Sequence, residues 1–120
     1  MVDVDRVIQL ESSGNPQETN KASGARGLGQ ITPIALKDYN QLNPQHYAWA
    51  QMYDPQINQK VTYWTLTQRI PSMLQHYGIQ STPHNVLWAY HDGVSNVAKG
   101  KMSKEAQEEL RRYFEPRTGK

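Results

Sequence analysis

The stretch "VIQLESSGNP", residues 7–16, carries an apolar run to a glutamate and then ends it with Ser12, Ser13, Gly14, Asn15 and Pro16. Val4, Val7, Ile8 and Glu11 fall at i, i+3, i+4 and i+7, one face of a 3.6-residue period. Gly14 and Pro16 are the usual punctuation of a helix C-terminus, so the spacing predicts a helix over 3–13 with Glu11 as its last inward position. A glutamate there either curls out to water or faces the interior. Facing inward, it meets desolvation and the negative end of the helix dipole, and both favour a protonated carboxylic acid. That is the form needed to protonate a glycosidic oxygen.

Working outward, the remaining signals are also helical. Thr32-Pro33, Asp54-Pro55 and Thr82-Pro83 each pair an N-cap with a proline at the first helical position. They predict a short helix to about Tyr39, a longer one with Ile57, Val61 and Trp64 that Pro71 interrupts, and a third with Val86, Leu87, Ala89 and Tyr90 that stops near Gly93. Gly78 closes a turn-rich helix after Pro71. A last helix from about Ser103 sets Ala106, Leu110, Tyr113 and Phe114 on one face. Residues 14–31 hold four glycines and little periodicity, which reads as a loop or a minimal hairpin. No repeat, low-complexity tract or linker divides residues 1–120, so the fold class is a mainly α, compact helical domain with one glycine-rich excursion after the first helix.

Composition narrows the classes. The 120 residues suffice for one core, with apolar residues at 37% and a mean hydropathy of −0.81. No run approaches a membrane span, and no basic, apolar and small-residue order marks a signal peptide. With no cysteine, disulfides, thiolate catalysis and cysteine zinc sites are excluded. A net charge of +2 with scattered basic residues lacks the stripe of a nucleic-acid domain. Seven Tyr and three Trp against one Phe suit either a wet groove where sugar faces stack or the edge of a small core.

Other candidate chemistry is weaker. "SGARGLGQITP", residues 23–33, has no Lys-Ser/Thr and no preceding strand, so it is not a phosphate loop. It is either a plain loop or one whose bare backbone approaches a ligand, with the Gln30 amide at a cleft edge. His46, His76, His84 and His91 show no paired ligand spacing and read as solvated, and no metal is expected. Of the acids weighed beside Glu11, Asp54 is explained as an N-cap and Asp92 as helix-end polar surface; with Asp38 they offer no obvious second acid.

In order along the chain, these pieces resemble one known pattern. Glu11-Ser12-Ser13-Gly14-Asn15-Pro16 resembles the E-S-x-x-N-P motif of the family 1 lytic transglycosylases, the SLT domain of the lysozyme superfamily. Gly24 to Pro33 is similar to that family's G-A-x-G-L-M-Q-[IL]-M-P, Asp54-Pro55 with Asn58 to its D-P-x-x-N, and Ala89-Tyr90-His91-Asp92-Gly93 to its A-Y-N-A-G. The resemblance implies a lysozyme-like fold of the α+β superfamily, with Glu11 as the catalytic acid and base beside a peptidoglycan groove. It implies that Gln30 lies in the groove, that the Tyr90 hydroxyl hydrogen-bonds the catalytic carboxyl, and that the backbone of Thr32 faces an N-acetyl group.

The implied function is a peptidoglycan lytic transglycosylase. It cleaves the β-1,4 bond between N-acetylmuramic acid and N-acetylglucosamine and forms 1,6-anhydromuramic products. The alternatives are a hydrolytic muramidase, with Asp92 or another carboxylate activating water, and a non-catalytic peptidoglycan-binding module. Glycan strands are the expected partner. No cofactor, nucleic acid or membrane span is expected, and the chain reads as a monomer acting at the bacterial wall, delivered by a phage or as part of a longer exported protein. Departures from the pattern point to a divergent branch such as phage-encoded or secretion-machinery enzymes. Asn20 or Lys21 stands where a serine is frequent, and the Glu11 to Gln30 spacing is about one residue long. Gly29 replaces a methionine, Thr62 a glycine, and His91-Asp92 an Asn-Ala pair.

Overall fold

Side-chain oxygens start the helices where the sequence places them. In the computed structural model, which describes residues 1–116, the Thr32 hydroxyl accepts from Ala35 N at 3.2 Å and the Thr82 hydroxyl from Asn85 N at 3.1 Å. The Asp54 carboxylate accepts from Gln56 N and Ile57 N at 2.9 and 3.1 Å, and the Ser103 hydroxyl accepts from Ala106 N at 3.0 Å. Each satisfies backbone donors that a helix start leaves without an intrahelical partner.

The resulting order is α1 Val4–Ser12, α2 Pro33–Leu42, a 3₁₀ turn Trp49–Tyr53, α3 Pro55–Trp64, a π-helical turn Thr65–Arg69, α4 Ile70–His76, α5 Pro83–Asp92, α6 Val94–Ala98 and α7 Lys104–Phe114. α1 ends through Ser13 and Gly14, both in the left-handed region. Between α1 and α2 the chain makes only isolated antiparallel bridges, Thr19 to Arg26 and Arg26 to Ile31, which is the minimal hairpin of the sequence reading. The last four residues of the expected 1–120 domain lie outside the described residues.

Two apolar clusters form. The larger centres on α5, where Val86, Leu87 and Ala89 meet Val7 of α1, Leu66, Ile70 and Leu74 of the π turn and α4, Val94 and Val97 of α6, and Leu110 of α7. The smaller joins Ile31, Leu36, Tyr39, Met52 and Val61. Much of the Tyr and Trp content lies at the edge of this smaller core. Tyr39 stacks near Tyr47 and Trp64, and the Arg26 guanidinium lies 4.5 Å over Trp49 and 4.7 Å over Tyr53.

Asn58 of α3 fastens the glycine-rich loop to the smaller core. Its amide nitrogen donates to Arg26 O and Met52 O at 2.9 and 2.8 Å. Its amide oxygen accepts from Gly29 N at 2.9 Å and from the Thr62 hydroxyl at 3.0 Å. Two glycines are dictated by this closeness. A Cβ on Gly27 (φ +77°) would lie 2.2 Å from Met52 O, and one on Gly29 would lie 1.9 Å from Thr62 Oγ1. Gly29 for methionine and Thr62 for glycine are therefore two sides of one contact: the volume lost on the loop is regained on α3.

Two expectations are corrected. Pro71 does not interrupt the α3 segment. The π turn has Ile70 N donating to Thr65 O, five residues back, and the helix runs on through Pro71 into α4. The wider turn accommodates a ring that would clash with the carbonyl four residues before it. Phe114 is 54% exposed rather than inward. The inward positions of α7 are Ala106, Glu109 and Leu110, with Tyr113 packed at the margin.

The paired departures predict strong coupling. Gly29→Ala should destabilise by about 1–3 kcal/mol through overpacking, and adding Thr62→Gly should return part of that loss although glycine costs about 1 kcal/mol within a helix. A double-mutant cycle by urea unfolding measures this; additive effects would show that the two sites are independent.

Candidate active site

A cleft of about 680 Å³ lies between the two clusters. One wall comes from the loop and α2, with Gln30, Thr32 and Asp38; the other comes from the π turn and α5, with Arg69, Tyr90 and His91. Asp38 and Arg69 pair across it at 2.7 Å. Gln30 holds φ +55°, and its amide nitrogen donates to Gly27 O and Glu18 O at 2.9 and 3.2 Å. That bracing leaves its carbonyl oxygen as the group available to a ligand. The Thr32 hydroxyl is committed to capping α2, which leaves its backbone. Tyr90 is the aromatic residue among the described residues lining this cleft.

The Tyr90 hydroxyl donates to the carbonyl of Gly29, not to the carboxyl of Glu11 as the resemblance implied. The loop fastened by Asn58 brings that carbonyl within reach and takes the donor. Burial, then the charge of Glu11, pushes the Tyr90 phenol above its ordinary pKa, so it remains a donor at neutral pH.

Glu11 faces inward as its register predicts, with 11% of its side chain exposed. It does not line the cleft itself. It sits behind His91, whose Nε2 lies 3.0 Å from Glu11 Oε2 and 4.0 Å from Glu109 Oε1. Three helices bring these groups together. The Tyr113 hydroxyl accepts from Asp3 N at 2.8 Å and an Arg6 guanidinium nitrogen donates to Arg112 O at 2.8 Å, tying α1 to α7. Both carboxylate oxygens of Asp92 accept from Ser103, from its N and its hydroxyl, each at 2.7 Å, which ties α5 to the start of α7. Asp92 is therefore a tie between two helices and not free helix-end surface.

At 3.0 Å the two groups form an ion pair when the ring is protonated. Glu11 Oε2, His91 Nε2 and Glu109 Oε2 are buried without a hydrogen-bond partner. Burial lowers the pKa of His91, but the carboxyls of Glu11, Glu109 and Asp92 outweigh it, and the net shift is upward. Burial raises Glu109 above the usual carboxylate range, and the nearby Glu11 charge adds to it.

The transglycosylase SLT domain model matches residues 4–112. The chain belongs to this family. No curated protein and no solved structure matches it significantly. An SLT domain acts on peptidoglycan in the manner of the lytic transglycosylases, and the mostly helical architecture agrees with that membership.

Within this SLT domain, Gln30, Thr32 and Tyr90 line one cleft as the resemblance implies, whereas Glu11, expected at the groove's rim, lies behind His91, and the sequence reading misses two neighbours. His91 read as solvated, which holds for His46, His76 and His84 but not for His91, only 21% exposed on its side chain. Glu109, 9% exposed, is the second neighbour. Its signal was present: Ala106, Glu109, Leu110 and Tyr113 repeat the i, i+3, i+4, i+7 register that singled out Glu11.

Both raised groups bind protons more tightly in the fold than in the unfolded chain. Their stabilising contribution is therefore complete below the unfolded values of 4.5 for Glu109 and 6.5 for His91, and it is lost as pH rises through the higher folded values. Thermal melts from pH 4 to 9 should show Tm falling less steeply with rising pH in Glu109→Gln than in the native chain. Parallel curves would remove Glu109 from the linkage.

Proposed function

We propose that the chain is a peptidoglycan lytic transglycosylase, folded as a single monomeric domain, in which Glu11 serves as acid and then base. The observation that carries the reading is a glutamate in the last turn of α1, its side chain 11% exposed and its Oε2 3.0 Å from Nε2 of the cleft-lining His91. A rotation of the imidazole presents that carboxyl to a glycan strand lying between Gln30, Thr32 and Tyr90.

In this reading protonated Glu11 donates to the oxygen joining N-acetylmuramic acid to N-acetylglucosamine as the β-1,4 bond breaks. The substrate's own N-acetyl group stabilises the developing cation, as in substrate-assisted glycosidases. Ionised Glu11 then takes the proton of the muramic C6 hydroxyl, whose oxygen closes on C1 to give the 1,6-anhydro sugar. The proton lent in the first step returns in the second, so the cycle needs no second carboxylate. Gln30 offers a carbonyl oxygen and Thr32 its backbone to the sugar substituents, and Tyr90 holds the loop wall through Gly29. The substrate sets the place of action on the outer side of the cytoplasmic membrane, reached by phage delivery or as part of an exported protein.

Hydrolysis is the second reading, because Glu109 supplies a second buried carboxylate in the same cluster. Mass spectrometry of muropeptides released from purified sacculi separates the two. Anhydro products are expected, and products heavier by one water would mean hydrolysis. Glu11→Gln should slow wall clearing at least about 100-fold, the usual minimum for loss of a general acid. Clearing at the native rate would end the catalytic assignment, and native protein that binds the wall without clearing it would favour a binding module.

A further inference from the structure

The Glu11–His91–Glu109 cluster contains more unpartnered chemistry than one acid requires. One ligand-capable atom from each residue lies within 4.8 Å of the others. Three of their polar atoms are buried without a hydrogen-bond partner, and Glu109 as a whole is 9% exposed. Two carboxylates held this close around one imidazole favour a positive partner, either a proton on the ring or a bound cation. Arg112 approaches Glu109 Oε1 at 4.0 Å with a side chain 46% exposed, and the charge of Arg6 also acts on that carboxyl.

We propose that Glu11, His91 and Glu109 form a binding site for a zinc-class divalent cation, and that the bound cation holds the domain inactive by taking the Glu11 carboxylate. One imidazole nitrogen with two carboxylate oxygens is a donor set that zinc and its transition-metal neighbours accept, whereas magnesium and calcium prefer oxygen-only shells with more ligands. Donors bound to one zinc at about 2.0–2.2 Å sit roughly 3–3.5 Å apart. The Glu11–His91 separation of 3.0 Å already fits. The His91–Glu109 separation of 4.0 Å needs to close by about 0.5–1 Å, a side-chain rotation on the scale of that coordination geometry. His91 also lines the cleft, so the cluster lies directly beside it. The ligands come from α1, α5 and α7, so only the folded chain assembles the site. A metal-bound Glu11 carries no proton to donate, so occupancy and the proposed acid step exclude one another.

The site rests on geometry alone; the silencing of wall clearing rests on the reading of Glu11 as the acid. Chelator-treated protein is titrated with zinc chloride by calorimetry, with magnesium and calcium chloride in parallel runs. One zinc per chain is expected, with a dissociation constant of about 10 µM or tighter, and the other two cations should bind far more weakly. His91→Asn and Glu109→Gln should each weaken zinc at least about tenfold, the scale seen when metal-site partners are removed. In the native chain, zinc should move the imidazole nitrogen resonances of one of the four histidines, a readout that does not depend on any variant folding. No saturable binding at millimolar zinc, equal binding by both variants, or equal binding of calcium would overturn the site. Saturable zinc binding that leaves clearing unchanged would support the site and overturn Glu11 as the acid. Loss of clearing without binding at His91 would overturn the site and leave the acid standing.

Discussion

The buried amide of Asn58 is the constraint on which the rest of the structure depends. It is 0% exposed, and an amide removed from water costs several kcal/mol unless its donors and acceptors are met. Here it donates to Arg26 O and Met52 O and accepts from Gly29 N and Thr62 Oγ1. Those bonds hold a loop with almost no regular structure against a regular helix. They also force Gly27 and Gly29 to lack side chains, because a Cβ on either would lie within bonding-scale distance of α3 or the 3₁₀ turn. Once Gly29 is placed, its carbonyl receives the Tyr90 hydroxyl, and the loop wall of the cleft is joined to α5.

From α5 the consequences pass to the chemistry. His91 follows Tyr90 on the same helix, and Asp92 anchors the end of that helix to Ser103 at the start of α7. α7 carries Glu109, and α1, its start tied to the end of α7, carries Glu11. The cluster is thus a meeting point of three helices, each brought in by a separate hydrogen bond between elements. Its electrostatics follow from that convergence. Removing the Glu109 carboxyl from water raises the cost of its charge, and the imidazole beside it is held protonated to higher pH than in solution.

Membership of the SLT family also gives the departures physical meaning. Gly29 and Thr62 exchange volume across one contact, so the loop keeps its approach to α3 without the family's methionine. His91, where the family pattern has asparagine, does the opposite and adds a titratable group beside the acid. One departure conserves the packing, and the other changes the charge of the site.

The sequence by itself determined what local rules govern. Thr32, Asp54, Thr82 and Ser103 fixed the helix starts because capping involves atoms two or three residues apart. The period of Val4, Val7, Ile8 and Glu11 turned the acid inward because 3.6 residues complete a turn whatever the partner helix is. Only the tertiary structure decided which inward groups meet. Glu109 showed the same period as Glu11, yet nothing local told that α7 would lay it near the same imidazole. Tyr90 pointed inward as read, but its partner was settled by where Asn58 held the loop. Pro71 read as a break because local rules assume an ordinary turn, and a π turn before it let the helix continue. Register is a property of one helix, while a site made by three depends on distances that only packing sets.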